Sequence, residues 1–305
     1  MINFKKIRLE DKEWIRTLLK SADMGGCHQN FTNLFTWSGF FGYRVARIND
    51  FLVVKGELED NEKYYLYPAG TGDIKPVLES MFEDAEKSGH DFKLLGLSED
   101  NREELSGLYP GFFKYEYMRN SSDYVYLLDK LINLKGNKLS SKRNHINFFK
   151  RHNKDNWSFE LITADNLEEC REMNKAWCLE HDCKDDIYLF SEYCAVRRCF
   201  DNFFELGLEG GLIRVGGKIV AFTMGEVLNS DTYVIHVEKA FDYVRGAYQM
   251  INREFAVYVR EKYPHLTYMN REEDMGHEGL RKAKLSYRPD KMEDKYAAIP
   301  IRRLK

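Results

Sequence analysis

Polar side chains of the kind that carry out group transfer lie close together near the end of the chain. Three of them alternate along a predicted strand: Asn270, Glu272 and Asp274. Because successive side chains of a strand point to opposite faces, this alternation predicts that all three lie on one side. The helix that we expect next carries Lys284, and Tyr287 follows one turn later. Carboxylates that face a lysine and a tyrosine can move protons between a nucleophile and a leaving group.

Metal ligands at diagnostic spacings are missing from the sequence. His277 lies in the same segment, but no HxxxH or HExxH motif accompanies it, so we predict no metal site. The six cysteines contain no CxxC pair, which argues against zinc-ribbon and thioredoxin-like proteins. We expect them to be reduced and mostly buried thiols.

A second possible binding feature is a glycine at the start of a predicted helix. Arg245, Gly246 and Ala247 separate a strand from the long helix that continues AYQMINREF. Small residues let backbone N–H groups approach a ligand, and a helix N-terminus favours an anion such as pyrophosphate. Glycine is equally common at helix starts for conformational reasons alone, so both interpretations stay open.

The most unusual stretch is strongly basic. Eight lysines and arginines and no acidic residue lie between Lys130 and Lys154. Ile146, Phe148 and Phe149 give this stretch an apolar face, so residues 140–152 are predicted to form an amphipathic basic helix. Such a helix attracts phosphates, RNA or an anionic lipid surface. The alternative is a solvated connecting helix whose basic residues pair with acidic residues elsewhere.

The predicted elements occur in the same order in both halves of the chain. Each half contains a strand, helices, a hairpin, and further strands alternating with helices, with hairpin turns at Asn49-Asp50 and Gly216-Gly217. The halves share this architecture without obvious residue identity. We therefore predict an N-terminal domain at 1–127, a basic helical linker at 128–156 and a C-terminal domain at 157–305 that holds the active site.

Composition narrows the class of protein. The 305 residues are 43% hydrophobic and 31% charged, as in globular proteins, and a chain of this length forms one large or two ordinary domains. The net charge of −3 argues against a non-specific nucleic-acid binder. No apolar run is long enough to span a membrane and no secretory signal is evident, so we expect a cytoplasmic protein.

Two segments resemble a known family. NREEDMGHEGLRKAKLSYRP is similar to the closing motif of the aminoacyltransferase-like branch of the GNAT superfamily, and in particular to the C-terminal catalytic domain of bacterial phosphatidylglycerol lysyltransferase. Residues 123–151, with Lys-Arg-Asn at 142–144, resemble the segment that joins two domains in that group. The resemblance extends over the chain in order and spacing, and Fem-type peptidoglycan aminoacyltransferases are more distantly similar.

The resemblance implies a fold and a reaction. The fold is α/β (α+β), with two tandem GNAT domains that each contain a mixed, splayed sheet flanked by helices. The reaction is the transfer of an acyl group, often an aminoacyl group from a charged tRNA, to an amine or hydroxyl. No resident cofactor is required, and the donor is aminoacyl-tRNA or acyl-CoA.

One motif departs from typical GNAT enzymes. Their pyrophosphate loop reads Gln/Arg-x-x-Gly-x-Gly/Ala, whereas this chain has Tyr243-Val-Arg-Gly246-Ala-Tyr248, which lacks both ends of the pattern. This difference favours an aminoacyl-tRNA donor or an acyl donor that the sequence does not identify. A CoA-dependent N-acyltransferase and a non-catalytic GNAT-like module that binds RNA or anionic lipid are the alternatives.

Roles follow for individual residues. We expect Glu238 or Glu272 to take a proton from the acceptor, Lys284 to stabilise the oxyanion and Tyr287 to protonate the leaving group. The residues predicted to bind the donor or its phosphates are Tyr243, Arg245, Gly246, Ala247, Asn270, Gly276 and Arg288. The residues predicted to bind tRNA or another polyanion are Lys138, Lys142, Arg143, Asn144 and Arg151. Peripheral contact with a membrane surface is a further expectation.

Overall fold

The chain folds into two mixed β-sheets with helices packed against them, as predicted for an α/β protein. The computed structural model describes residues 1–58 and 60–302. The strands are β1 (Lys5–Lys6), β2 (Arg44–Ile48), β3 (Phe51–Glu57), β4 (Lys63–Leu66), β5 (Ala69–Gly70), β6 (Leu94–Leu97), β7 (Phe113–Tyr117), β8 (Asp123–Leu127), β9 (Trp157–Leu161), β10 (Glu209–Val215), β11 (Lys218–Val227), β12 (Thr232–Ala240), β13 (Tyr268–Asn270), β14 (Lys291–Glu293) and β15 (Tyr296–Pro300). The helices are α1 (Lys12–Ala22), α2 (Phe31–Thr36), α3 (Lys75–Ser88), α4 (Glu99–Leu108), α5 (Leu128–Asn133), α6 (Ser140–Asn153), α7 (Leu167–Glu180), α8 (Ile187–Asp201), α9 (Phe203–Leu206), α10 (Ala247–Lys262) and α11 (Glu278–Leu285).

The first sheet has the strand order β1-β2-β3-β4-β6-β15-β7, and β5 pairs with β3. Its strands β4 and β6 are parallel, whereas β15 is antiparallel to both β6 and β7. The strand nearest the end of the chain therefore lies between two strands from the first half. Helix α3 covers this sheet with Val77, Leu78 and Met81, which are completely buried.

The second sheet has the order β14-β8-β13-β12-β11-β10-β9. Strands β12 and β13 are parallel, and they are paired only from Thr232 opposite Tyr268 to Val234 opposite Asn270. Strand β12 continues to Ala240 beside β11, whereas β13 ends at Asn270. The sheet is therefore open between these two strands beyond residue 234.

The chain divides into two compact units that differ from the predicted domains. The first unit contains residues 1–123, 273–276 and 292–305, and the second contains 124–272 and 277–291. The predicted linker 128–156 is part of the second unit, because α5 and α6 pack on α10. Residues 296–300 belong to the first unit, because β15 completes its sheet.

Several local predictions are confirmed. The Asn49-Asp50 turn joins β2 to β3, and the Gly216-Gly217 turn, with positive φ at both glycines, joins β10 to β11. The basic helix forms as α6 and buries Ile146 and Phe149. These elements depend on turn chemistry and helical periodicity, both of which are local properties of the sequence.

The expectation of six reduced thiols is wrong for one pair. Cys178, near the end of α7, and Cys183, in the turn that follows, form a disulfide with a Cα–Cα distance of 5.3 Å. The sequence spacing of five residues matches none of the motifs that we considered. Cys27, Cys170 and Cys199 are buried thiols, as expected.

A buried lysine anchors the segment before β15 within the first unit. Lys295 is 3% exposed, and its Nζ lies 2.6 Å from Asp123 Oδ1, 3.2 Å from Glu273 Oε2 and 3.4 Å from Cys27 Sγ. Burial opposes its charge, but Asp123 and its other neighbours outweigh burial and raise the pKa of Lys295. Among the described residues, these three partners also have the spacing of metal ligands. The ammonium group already supplies the cation that they surround.

Candidate functional site

Charged side chains bridge the opening between β12 and the segment after β13, within the second unit. His236 and Glu238 are two residues apart on β12, where a β-bulge shifts the register against β11 at His236. Arg271 and Glu272 follow directly after the last residue of β13. Glu238 contacts Arg271 and His236 contacts Glu272, so two charged pairs connect the separated strands.

The Glu238 carboxylate has two fixed partners. Arg271 Nη2 donates to Glu238 Oε1 at 2.6 Å, and Asn252 Nδ2, from α10, donates to Oε2 at 2.9 Å. The Glu238 and Arg271 side chains are only 10% and 12% exposed. Two further atoms here, Arg271 Nη1 and Asn252 Oδ1, are buried without a hydrogen-bond partner among the residues that the structure describes.

Aromatic rings surround Arg271. Its guanidinium lies 4.8 Å from the ring centre of Tyr287 and 5.7 Å from that of Tyr126. Lys142, from α6, places its Nζ 4.2 Å from the centre of the Tyr287 ring. Burial, assisted by the nearby Arg271, lowers the pKa of Lys142 to about 8, although Glu238 opposes the shift. Lys142 therefore holds its proton weakly near neutral pH.

His236 forms a second buried charge network. Its side chain is 3% exposed, and its ring nitrogens lie 2.8 Å from Glu272 Oε1 and 3.2 Å from Glu226 Oε1. Burial disfavours protonation, but the hydrogen bonds to Glu226 and Glu272 outweigh it and raise the pKa of His236 to about 9. The imidazolium form therefore links β11, β12 and the segment after β13 at neutral pH.

Protonation of His236 makes stability depend on pH. Its folded pKa of about 9 exceeds its unfolded value of about 6.5, so its contribution is complete below pH 6.5 and is lost as pH rises through 9. The shift corresponds to about 3 kcal/mol. We expect the free energy of unfolding, measured with urea, to fall between pH 6.5 and pH 9. The fall should be larger in the wild type than in Glu226→Gln, which lacks one of the two carboxylates that bind His236. Equal pH dependence of the two proteins would contradict the assignment.

The predicted alternation of Asn270, Glu272 and Asp274 is wrong. Strand β13 ends at Asn270, whose Oδ1 accepts from the Glu272 amide at 2.7 Å and turns the chain. Glu272 has a φ of +56°, so the period of two is broken. Its carboxylate binds His236, whereas Asp274, in the first unit, is paired with Arg119. The three side chains therefore have different partners.

The other residues of the closing motif have separate positions. Lys284 is buried and its Nζ donates to the Arg271 carbonyl at 2.6 Å, which fixes the backbone that carries Arg271. Burial raises the pKa of Tyr287, so its phenol retains its proton. Arg288 is exposed, and its carbonyl accepts from Lys130. Gly276 lies in a turn of the first unit, where its amide donates to Asp274.

The glycine at the start of α10 contacts another helix. A Cβ on Gly246 would lie 2.5 Å from the carbonyl oxygen of His145 and 3.0 Å from Phe149 Cβ, so α6 packs directly on this turn. The amide of Ala247 donates to the Val244 carbonyl. Close packing of α6 therefore explains this glycine. Beside it, Tyr243 is 71% exposed, and Arg245 lies over the ring of Phe148 at 4.4 Å.

The residues predicted to bind a polyanion divide into two groups. Lys142 points towards Tyr287, and Arg143 donates to the carbonyls of Leu134 and Gly136, so both make contacts inside the second unit. Exposed positions are taken by Lys138, Asn144 and Arg151. The free basic surface of this segment is therefore smaller than its sequence indicates.

Sequence analysis missed four residues of the site: Asn252, Arg271, His236 and Glu226. Arg271 lies inside the recognised closing motif, and its place between two residues of the predicted polar set was a signal that we did not use. His236 and Glu238 also share the alternation of one strand. Asn252 and Glu226 gave no comparable signal, since each reaches the site only through tertiary packing.

The sequence was compared with models of protein families and with known proteins. The sequence model described as "Phosphatidylglycerol lysyltransferase, C-terminal" matches residues 19–299. An uncharacterised protein from Mycoplasmoides gallisepticum is 23% identical over 195 residues, which are 62% of this chain and 61% of that protein. The match thus spans less than two thirds of this relative's length. Among the described residues, no helix is both long and apolar enough to cross a membrane.

Solved structures share the fold. A conserved protein of unknown function from Bacteroides thetaiotaomicron is 41% identical, with 98% of this chain and 100% of that chain covered and a TM-score of 0.92. The C-terminal domain of a putative lysylphosphatidylglycerol synthetase from Agrobacterium fabrum is 16% identical, with 95% and 91% covered and a TM-score of 0.67. FemX is 12% identical, with 98% and 97% covered and a TM-score of 0.63. The predicted similarity to lysyltransferase and Fem-type folds is confirmed.

Proposed function

Because this chain belongs to the family of phosphatidylglycerol lysyltransferase C-terminal domains, we propose that it transfers an aminoacyl group from an activated ester to a hydroxyl or amine. The observation that supports this most directly is the pair of unsatisfied atoms beside Glu238. Arg271 Nη1 is a buried donor and Asn252 Oδ1 a buried acceptor. Buried polar groups are nearly always paired, so a ligand with one acceptor and one donor would complete this site.

An aminoacyl ester carries both groups on adjacent carbon atoms. Its carbonyl oxygen would accept from Arg271 Nη1, and its α-ammonium would donate to Asn252 Oδ1 and interact with the negative charge of Glu238. A simple acyl thioester has no ammonium group to pair with a buried carboxylate. The site therefore favours an aminoacyl donor over a simple acyl donor.

The transfer step needs a base and a group that stabilises negative charge. The acceptor oxygen or nitrogen attacks the ester carbonyl carbon, and the bond from that carbon to the donor oxygen breaks. Lys142, whose pKa is about 8, takes the acceptor's proton and returns it to the leaving oxygen. Arg271 stabilises the oxyanion. Lys284 positions Arg271, because its Nζ donates to the backbone carbonyl of Arg271.

These assignments change two of the roles that the sequence suggested. Lys142 becomes the base in place of Glu238 or Glu272, since both carboxylates are already bound to cationic partners. Tyr287 becomes a packing surface for Arg271 and Lys142, because a phenol with a raised pKa is a poor proton donor. Glu238 then binds the donor's ammonium group.

We propose aminoacyl-tRNA as the donor and a membrane lipid as the first acceptor to test. The packing of α6 against Gly246 argues against a CoA pyrophosphate at the start of α10, since the helix occupies the approach. Lys138 and Arg151 remain exposed on the same segment and can contact tRNA phosphates. The family's description names phosphatidylglycerol, which offers free hydroxyl groups as acceptors.

The test combines tRNA binding with transfer. The purified protein is incubated with tRNA charged with labelled amino acids and with phosphatidylglycerol vesicles, and label in the lipid is measured. We expect the double variant Lys138→Ala/Arg151→Ala to bind tRNA more weakly, with a negative slope of log K against log salt that is smaller in magnitude by roughly 2. Lys114→Ala, which removes an exposed lysine from β7, is the control and should leave both binding and slope unchanged.

Each outcome separates the candidate functions. Label in the lipid supports aminoacyl transfer, and label on an added amine instead would change only the acceptor. Binding of tRNA without transfer to any acceptor would favour the non-catalytic RNA-binding module. Binding of CoA with no retention of tRNA would contradict the proposed donor and favour an N-acyltransferase.

A further inference from the structure

The first unit contains a cleft of about 310 Å³, and its lining includes no residue of the Glu238–Arg271 cluster. Its walls are the loop after α1, the end of β6 with the start of α4, and the residues just before β15. This volume is at the lower end of the range for small-molecule sites in proteins. The cleft can therefore hold a small organic molecule.

Negative charge dominates the walls of this cleft. Among its described lining residues, Lys295 is the only lysine or arginine, and that charge is already balanced by Asp123 and Glu273. Four carboxylates line the cleft: Asp23, Asp100, Glu293 and Asp294. The negative charge of Asp100 and Asp294 in particular favours a cationic occupant.

A half-buried histidine supplies an unused acceptor. His28 Nε2 lies 3.0 Å from the carbonyl oxygen of Gly96, which can only accept, so Nε2 carries the hydrogen. Burial, together with the charge of Lys295, lowers the pKa of His28 to about 3, so the ring is neutral. Its Nδ1 is thus an acceptor, and it is buried without a hydrogen-bond partner among the described residues.

Two glycines let His28 and Glu293 lie directly against the backbone on this side of the cleft. A Cβ on Gly26 would lie 2.8 Å from His28 Nδ1, and a Cβ on Gly25 would lie 2.9 Å from the Glu293 carboxylate. Neither glycine has a positive φ, so their backbone conformation alone does not require glycine. The absence of a Cβ instead lets the His28 ring and the Glu293 carboxylate pack closely against these two residues.

From these features we infer that the cleft binds a small primary ammonium compound, such as a free diamine or a basic amino acid. An ammonium group has three N–H donors and a positive charge. One N–H would bind His28 Nδ1, and the others would face the carboxylates of Asp100 and Asp294. The inference does not depend on the aminoacyl transfer proposed above.

An anion is the alternative that the start of α4 suggests, and the structure opposes it. Ser98 and Asn101 form a capping box that satisfies two backbone amides at this helix end. Glu99 and Asp100 in the first turn add two negative charges. The local field therefore repels an anion, although helix N-termini in general attract them.

The test is calorimetric titration of the whole protein with cadaverine and lysine, and with glutarate as an anionic probe of similar length. We expect saturable binding of the amines and none of glutarate. Asp100→Asn/Asp294→Asn should weaken amine binding at least tenfold, because it removes two negative charges from the cleft. The amide oxygen introduced at position 294 can still accept the hydrogen bond from Tyr117, so this structural contact is kept. Glu103→Gln, an exposed change on the same helix, should have no effect.

A second variant tests space instead of charge. Gly26→Ala puts a methyl group 2.6 Å from His28 Cε1, so the imidazole has to move, and amine binding should be lost although no charge changes. Thermal unfolding of every variant verifies that the fold is retained. Binding of glutarate, absence of amine binding, or unchanged affinity in the Asp100/Asp294 variant would each overturn the inference. These titrations contain no acyl donor, so failure of the proposed transfer reaction would not affect them.

Discussion

Glu238→Gln is expected to lower aminoacyl transfer at least 100-fold, which is the largest effect on activity that we predict. The carboxylate is held by Arg271 and Asn252 and would be the only negative group bound to the donor's ammonium. Removing one preorganised charged group from a buried site costs roughly 10²–10³ in rate. The measurement is the single-turnover rate of label transfer from charged tRNA.

Stability has to be separated from catalysis in this experiment. Glu238→Gln leaves the Arg271 charge buried and unpaired, which costs about 3–5 kcal/mol. The double variant Glu238→Gln/Arg271→Gln removes both charges and should recover most of that loss while remaining inactive. Glu168→Gln, an exposed change on α7, is the control. A stably folded double variant with normal transfer would refute the assignment of this cluster.

Lys295→Met is expected to cause a large loss of stability. It leaves Asp123, which is completely buried, and Glu273 without their cation. Breaking a buried ion pair by removing one partner costs about 3–5 kcal/mol. In a protein of this size, that cost corresponds to a decrease in Tm of about 10 °C. Calorimetry or circular dichroism during heating measures it.

A second substitution tests the reason for that loss. In the Lys295→Met background, Asp123→Asn removes the stranded charge, and the asparagine introduced there can still accept a hydrogen bond from the Cys27 amide. We expect it to restore part of the lost stability. Lys114→Met removes an exposed lysine and should change the free energy of unfolding by less than about 0.5 kcal/mol. A Lys295→Met protein as stable as the wild type would show that the cluster does not depend on its lysine.

The sequence was sufficient to predict features that depend on neighbouring residues. Both hairpins and the amphipathic α6 follow from turn and periodicity rules that act over a few residues. The resemblance in the closing motif predicted the family, which the comparisons confirm. Glu238 and Tyr287 were both singled out, and both contact or adjoin Arg271 in the structure.

Features that depend on tertiary contacts could not be predicted in this way. The alternation of Asn270, Glu272 and Asp274 was a sound signal for a strand, but the Asn270 side chain accepts from the amide of Glu272 and ends the strand. Arg143 belongs to a basic run, yet two backbone carbonyls hold it. Whether a charged side chain is free or paired is decided by residues far away in the chain.

The position of β15 has a consequence for how the protein is made. The ribosome releases β6 and β7 long before residues 296–300, so both strands lack their central partner during most of synthesis. Their unpaired edges could then join strands of other nascent chains. The unit whose translation begins first is therefore the last to be completed. A stop codon before residue 296 would leave β6 and β7 without the strand that lies between them.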